Sequence, residues 1–141
     1  MRKLVIALFA IVIAGCSSGP EKINVDLDTC AYCEMKISDS RFASQLITSK
    51  GKVFKFDDHS CMVEFQKETE TATDARLYVA GFDAKGEWLD VNEAFFAYGE
   101  EVRSPMRGNA AAFKSEREAL EMASRVKGEV IKWAELVKKS E

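Results

Sequence analysis

The chain has 141 residues, 47% of them hydrophobic and 30% charged, with a net charge of −3 at pH 7. That composition belongs to a globular protein of roughly single-domain size. No basic face stands out among the Lys and Arg residues, which excludes nucleic acid as an expected partner.

Arg2 and Lys3 precede an apolar run from Leu4 to Ala14, and small residues then lead into Cys16. This is the layout of a secretory signal. The run is too short to span a bilayer, for which about twenty residues are needed. Ile13-Ala-Gly-Cys16 resembles a bacterial lipobox, in which the cysteine thiol is acylated and the signal is cut just before it. The expectation is a signal peptide at 1–15, a lipidated tether at 16–28, and a single domain at 29–141. No later hydrophobic run could insert in a membrane, so the lipid alone would hold the protein there, facing the periplasm. Ser17 after the lipid cysteine points to an outer membrane where the cell has one.

The domain is expected to be α+β. Phe42 to Thr48 suits a strand, Ser49-Lys-Gly-Lys52 a hairpin connection, and Val53 to Phe56 the returning strand. Asp57-Asp58 offers an N-cap for a helix to about Glu68, with Cys61, Met62 and Phe65 on one side. Thr69 to Asp74 is a loop and Leu77 to Ala80 a strand. The order then repeats. Ala94 to Tyr98 is a strand, the loop through Ser104-Pro-Met106 leads to a strand at Ala110 to Phe113, and Ser115 caps a helix. Ala119, Leu120, Ala123 and Val126 mark its buried stripe, and Gly128 its left-handed end. Glu129 to Lys132 is the last strand, and Trp133, Leu136 and Val137 suit a short terminal helix. With Phe56-Asp-Asp beside Phe113-Lys-Ser, both halves read strand, strand, helix, strand. Two tandem ββαβ units follow, about 29–81 and 87–141.

Cys30, Cys33 and Cys61 remain once Cys16 is committed to lipid. An odd number cannot all pair in an oxidising compartment, so at least one thiol is spare or ligated. Cys30-x-x-Cys33-x-Met35 puts two thiols and a thioether on one turn. Met106 sits in a polar loop between Arg103 and Arg107, where core packing explains it poorly. Thiolate and thioether together form a soft donor set that suits Cu(I). Two alternatives stay open: a Cys₃His zinc site adding His59 and Cys61, and a thiol–disulfide oxidoreductase using Cys30 and Cys33. Asp57 and Asp58 are expected as a cap and a solvated charge. His59 has no nucleophile pattern around it, and there is no glycine-rich phosphate loop, so an enzyme is not expected.

Cys30-Ala-Tyr-Cys33-Glu-Met35, then Phe56-Asp-Asp-His-Ser-Cys61-Met62, then Ser104-Pro-Met106 before an Ala/Phe strand, behind a lipobox, resemble the NosL family. The resemblance implies a tandem ββαβ lipoprotein that binds Cu(I). It also implies delivery by ligand exchange, with an ABC-type membrane complex, to apo nitrous oxide reductase. Residue by residue it implies Cys30, Cys33, Met35 and Met106 as ligands. Cys61 is a further candidate, open also to a disulfide or a buried thiol. Two positions depart from the family pattern. Glu34 and Arg107 stand where glycine is common, and a side chain there disfavours the same tight turn.

Overall fold

The computed structural model describes residues 19–69, 74–84 and 86–140. The expected signal segment and Cys16 lie outside the described residues. Among those described, no helix is long and apolar enough to cross a membrane.

The strand β1 (Ser44–Ile47) pairs with β2 (Val53–Phe56) across a turn in which the amide of Gly51 donates to Thr48. Gly51 sits at φ 82°, a conformation glycine adopts without steric cost. Helix α1 (His59–Glu68) carries the chain over to β3 (Arg76–Ala80), which lies antiparallel on the other side of β1. The short strand β4 (Trp88–Asp90) extends this sheet to the order β2-β1-β3-β4. The second half repeats the scheme with β5 (Phe95–Tyr98), β6 (Ala110–Phe113), α2 (Glu116–Arg125) and β7 (Glu129–Ile131), in the order β6-β5-β7. Helix α3 (Trp133–Lys139) closes the chain against β5.

Both expected ββαβ units are therefore present. Aligning Phe56 with Phe113 lays β2 on β6 and α1 on α2 from end to end. The caps fall where the sequence marks them. Asp58 accepts the Ser60 amide at 3.1 Å, and Ser115 accepts the Glu118 amide at 3.4 Å. Strand β4 was not anticipated, because three residues are too few to show an alternation; β3 templates it through backbone pairing.

The two sheets share one core. Leu46, Phe56, Met62 and Val79 from the first half meet Phe96, Ala112, Ile131 and Leu136 from the second. Each large side chain buried there contributes ~1.5–3 kcal/mol. Helix α2 lies on its own sheet through Ala119 and Ala123, with Val126 and Met122 completing the stripe. Leu120 was expected in that stripe and is instead 51% exposed. Ala119 and Ala123, one turn apart, define the face against the sheet, and Leu120 lies about 100° further round the helix, outside that face.

A second correction concerns the end of α2. The left-handed residue is Lys127, at φ 50°, and the Gly128 amide donates back to the Ala123 carbonyl at 2.8 Å. Gly128 is required for room rather than for its dihedral, since any Cβ there would collide with the Tyr98 carbonyl. The stretch expected as tether is also partly docked. Gln45, buried in mid-strand, accepts the Glu21 amide at 2.8 Å and donates to the Glu21 carbonyl at 2.6 Å. Ile23 packs beside Ile37 and Ala43.

Gly128→Ala should destabilise the fold by about 1–3 kcal/mol through overpacking, whereas Leu120→Ala should stay within about 0.5 kcal/mol of the parent. Urea unfolding midpoints at unchanged slope would show both.

Candidate metal centre

The Cys30–Met35 segment is a closed turn. The Cys30 amide donates to the Met35 carbonyl at 2.8 Å, the Glu34 amide donates to Cys30 at 3.1 Å, and a bridge joins Thr29 to Lys36. The Ala31 amide ties the turn to Lys55 on β2. Glu34 makes the bend at φ 61°, and Arg107 makes its own at φ 57° after Met106. The two bends are left-handed although neither position is glycine. A side chain in that region costs on the order of 1 kcal/mol, and the surrounding hydrogen bonds hold it.

This turn lies against the first turn of α1, which carries Cys61. The sulfurs of Cys30, Cys33 and Cys61 all lie within 4.8 Å of one another, and none is in a disulfide. Three sulfurs held about 2.3 Å from one ion in a plane would stand ~4 Å apart, so the cluster is nearly of that size. Cys30 and Cys61 are buried and Cys33 is half-buried. The group thus has a closed back and one accessible edge.

Its electrostatics single out Cys30. A hydrogen bond from Cys61 lowers the Cys30 thiol most; burial opposes ionisation, and amides of Asp57, Cys33 and Tyr32 add further donors, bringing it to about 5. Cys61 is pushed well above the usual thiol range by its hydrogen bond to Cys30, by burial, and by the charges of Cys30 and Cys33. Burial, with Cys30 alongside, also raises Cys33 despite the Met35 amide directed at it. Ionisation is therefore favoured at Cys30 and disfavoured at Cys33 and Cys61.

Asp57 and Asp58 are both buried, correcting the expectation of a solvated charge. Asp57 accepts the amide and hydroxyl of Ser38 at 2.8 and 3.3 Å, and burial raises its carboxyl. Asp58 caps α1 and also accepts the Met106 amide at 3.1 Å and the Gly108 amide at 3.3 Å. Burial opposes its charge, yet hydrogen bonds from His59, Ser104 and Ser60 hold its carboxyl well below the usual range. The sequence pattern missed this reach; the only signal was a second aspartate at a helix start.

The predicted site residues thus divide. Cys30, Cys33 and Cys61 are brought together. Met35 lies two residues beyond Cys33 with its side chain 57% exposed, and Met106 is 36% exposed on the loop bound to Asp58. His59, offered as a zinc ligand, lies outside the cysteine group. Its Nδ1 is 3.0 Å from Asp58, and its buried Nε2 has no hydrogen-bond partner among the described residues. Cys16 lies outside the described residues.

Residues 22–140 match the NosL protein family. The chain belongs to the NosL family. It shares its fold with the copper chaperone NosL from Shewanella denitrificans, at a TM-score of 0.71 and 18% identity, over 84% of this chain and 95% of that one. No curated protein matches it in sequence.

Two predictions follow from the turn. Ultraviolet thiolate absorbance of the reduced, metal-free protein should show one thiolate at neutral pH, lost as the pH falls through about 5 and missing in Cys30→Ser. A thiol in an unfolded chain ionises near 8.5. The lowered Cys30 therefore lends stability that is complete above that value and lost on acidification through about 5. At position 34, Glu34→Gly should be more stable than Glu34→Ala by about 1 kcal/mol, because alanine keeps the left-handed strain that glycine removes.

Proposed function

We propose that this chain is a lipid-anchored Cu(I) carrier that delivers copper by ligand exchange. It would be tethered through Cys16 to the membrane facing the periplasm, in the outer membrane where there is one. Its expected route runs with an ABC-type membrane complex to a copper enzyme, nitrous oxide reductase by family resemblance. The observation that carries this reading is the three-thiol cluster with a buried back and an open edge. Thiolates select soft, monovalent copper over oxygen-seeking metals. Cys30 and Cys61 would retain the ion, while Cys33, Met35 and Met106 would complete a site whose edge an incoming thiol or thioether can reach.

The two alternatives fit less well. A structural zinc site normally closes with four ligands, and His59 is turned to Asp58 instead of supplying one. An oxidoreductase needs its low-pKa thiol exposed to a disulfide substrate, and Cys30 is only 1% exposed.

Anaerobic Cu(I) titration of the reduced 17–141 fragment against a chromophoric competitor tests the proposal. One-to-one binding is expected, weakened at least about tenfold (~1.4 kcal/mol) by Cys30→Ser. Met106→Ala should also weaken it; no change there would confine the site to the cysteines and Met35. Failure of the parent to compete for Cu(I) would overturn the copper reading.

A further inference from the structure

The Pro-Met loop and the cysteine cluster belong to different half-repeats, and one side chain joins them. Asp58 Oδ1 faces the start of α1, with the Ser60 amide at 3.1 Å and His59 Nδ1 at 3.0 Å. Oδ2 faces the loop, accepting the Met106 and Gly108 amides. Among the described residues, the loop's only hydrogen bonds to the first half-repeat end on this carboxylate. Cys61 is three positions further along the same helix, and the neighbouring Asp57 amide donates to the Cys30 sulfur. Gly108 shows how tight the junction is, because a Cβ there would collide with Asp58 and the His59 ring.

We propose that Asp58 is the positioning residue of the metal site: its two carboxylate oxygens lock the Met106 loop to the helix turn that carries Cys61. This rests on the copper reading and extends it. Asp58 would touch no metal. It would hold a ligand from the second half-repeat at a constant distance from ligands of the first, so that Met106 binds as part of the cysteine site rather than as a mobile thioether. An asparagine offers one acceptor oxygen where the aspartate uses two, so either the loop or the helix start must release. Partners that orient metal ligands in this way are typically worth 10–100-fold in affinity.

The test is a double-mutant cycle on Cu(I) affinity in the full chain, solubilised in detergent, combining Asp58→Asn with Met106→Ala. Asp58→Asn should weaken binding by roughly 10–100-fold, and Met106→Ala should cost little more once Asp58 has been replaced. Equal cost of Met106→Ala in both backgrounds would overturn the proposal, since a merely structural Asp58 would leave the Met106 contribution intact. No cost of Met106→Ala in the parent would also overturn it, while leaving copper on the cysteines. A parent that binds no Cu(I) would remove the copper reading itself. Should Asp58→Asn fail to fold, Gly108→Ala replaces it in the cycle, its Cβ forcing the loop away from Asp58; an unchanged Met106→Ala cost there would equally sink the idea.

Discussion

A carboxylate shut away from water must have its acceptor positions filled, because an unpaired buried charge costs several kcal/mol. Asp58 meets that demand by drawing donors from two parts of the chain: its own helix, through the Ser60 amide and the His59 ring, and the loop of the other half-repeat. The Ser44 hydroxyl adds a bond to its backbone carbonyl at 3.2 Å, fixing the helix start to β1. The direction in which α1 leaves β2, the absence of a side chain at Gly108 and the seat of Met106 all follow from satisfying this one group.

The sulfur cluster obeys a related economy with a different outcome. A neighbouring S–H and backbone amides favour the thiolate form of Cys30 against the cost of burial. Cys61 is held protonated by its hydrogen bond to Cys30 and by burial, and Cys33 by burial, with the negative charge of Cys30 adding to both. Backbone strain is also present beside these groups. Glu34 and Arg107, each beside a methionine, hold dihedrals that would suit glycine, as backbone strain often does near functional sites.

Much of this was legible in the residues. Alternation in Val53-Phe-Lys-Phe, the cap at Ser115 and the spacing of small residues in α2 are local signals, and they gave the ββαβ repeat. The Cys30-x-x-Cys33 turn announced a site in the same way. What stayed hidden depends on contacts distant in sequence. Strand β4 exists because β3 pairs with it. Leu120 faces outward because the sheet packs against the Ala119–Ala123 face of α2. Asp57 and Asp58 read as no more than a cap and a solvated charge because their partners, Ser38 and the Met106 loop, lie about 20 and 50 positions away. The tight turns at Glu34 and Arg107 also formed against local preference, since the hydrogen bonds around them outweigh the strain.

The core shared between the two sheets has a temporal consequence. Because Phe56 and Met62 pack with Phe96, Ile131 and Leu136, neither repeat can bury its apolar face while the other is unmade. The arrangement that joins the cysteine turn to the Met106 loop is therefore a property of the finished molecule. Folding of both repeats would thus come before any binding, and an ion held across the junction would act as a staple between them, adding to the stability of the folded state alone.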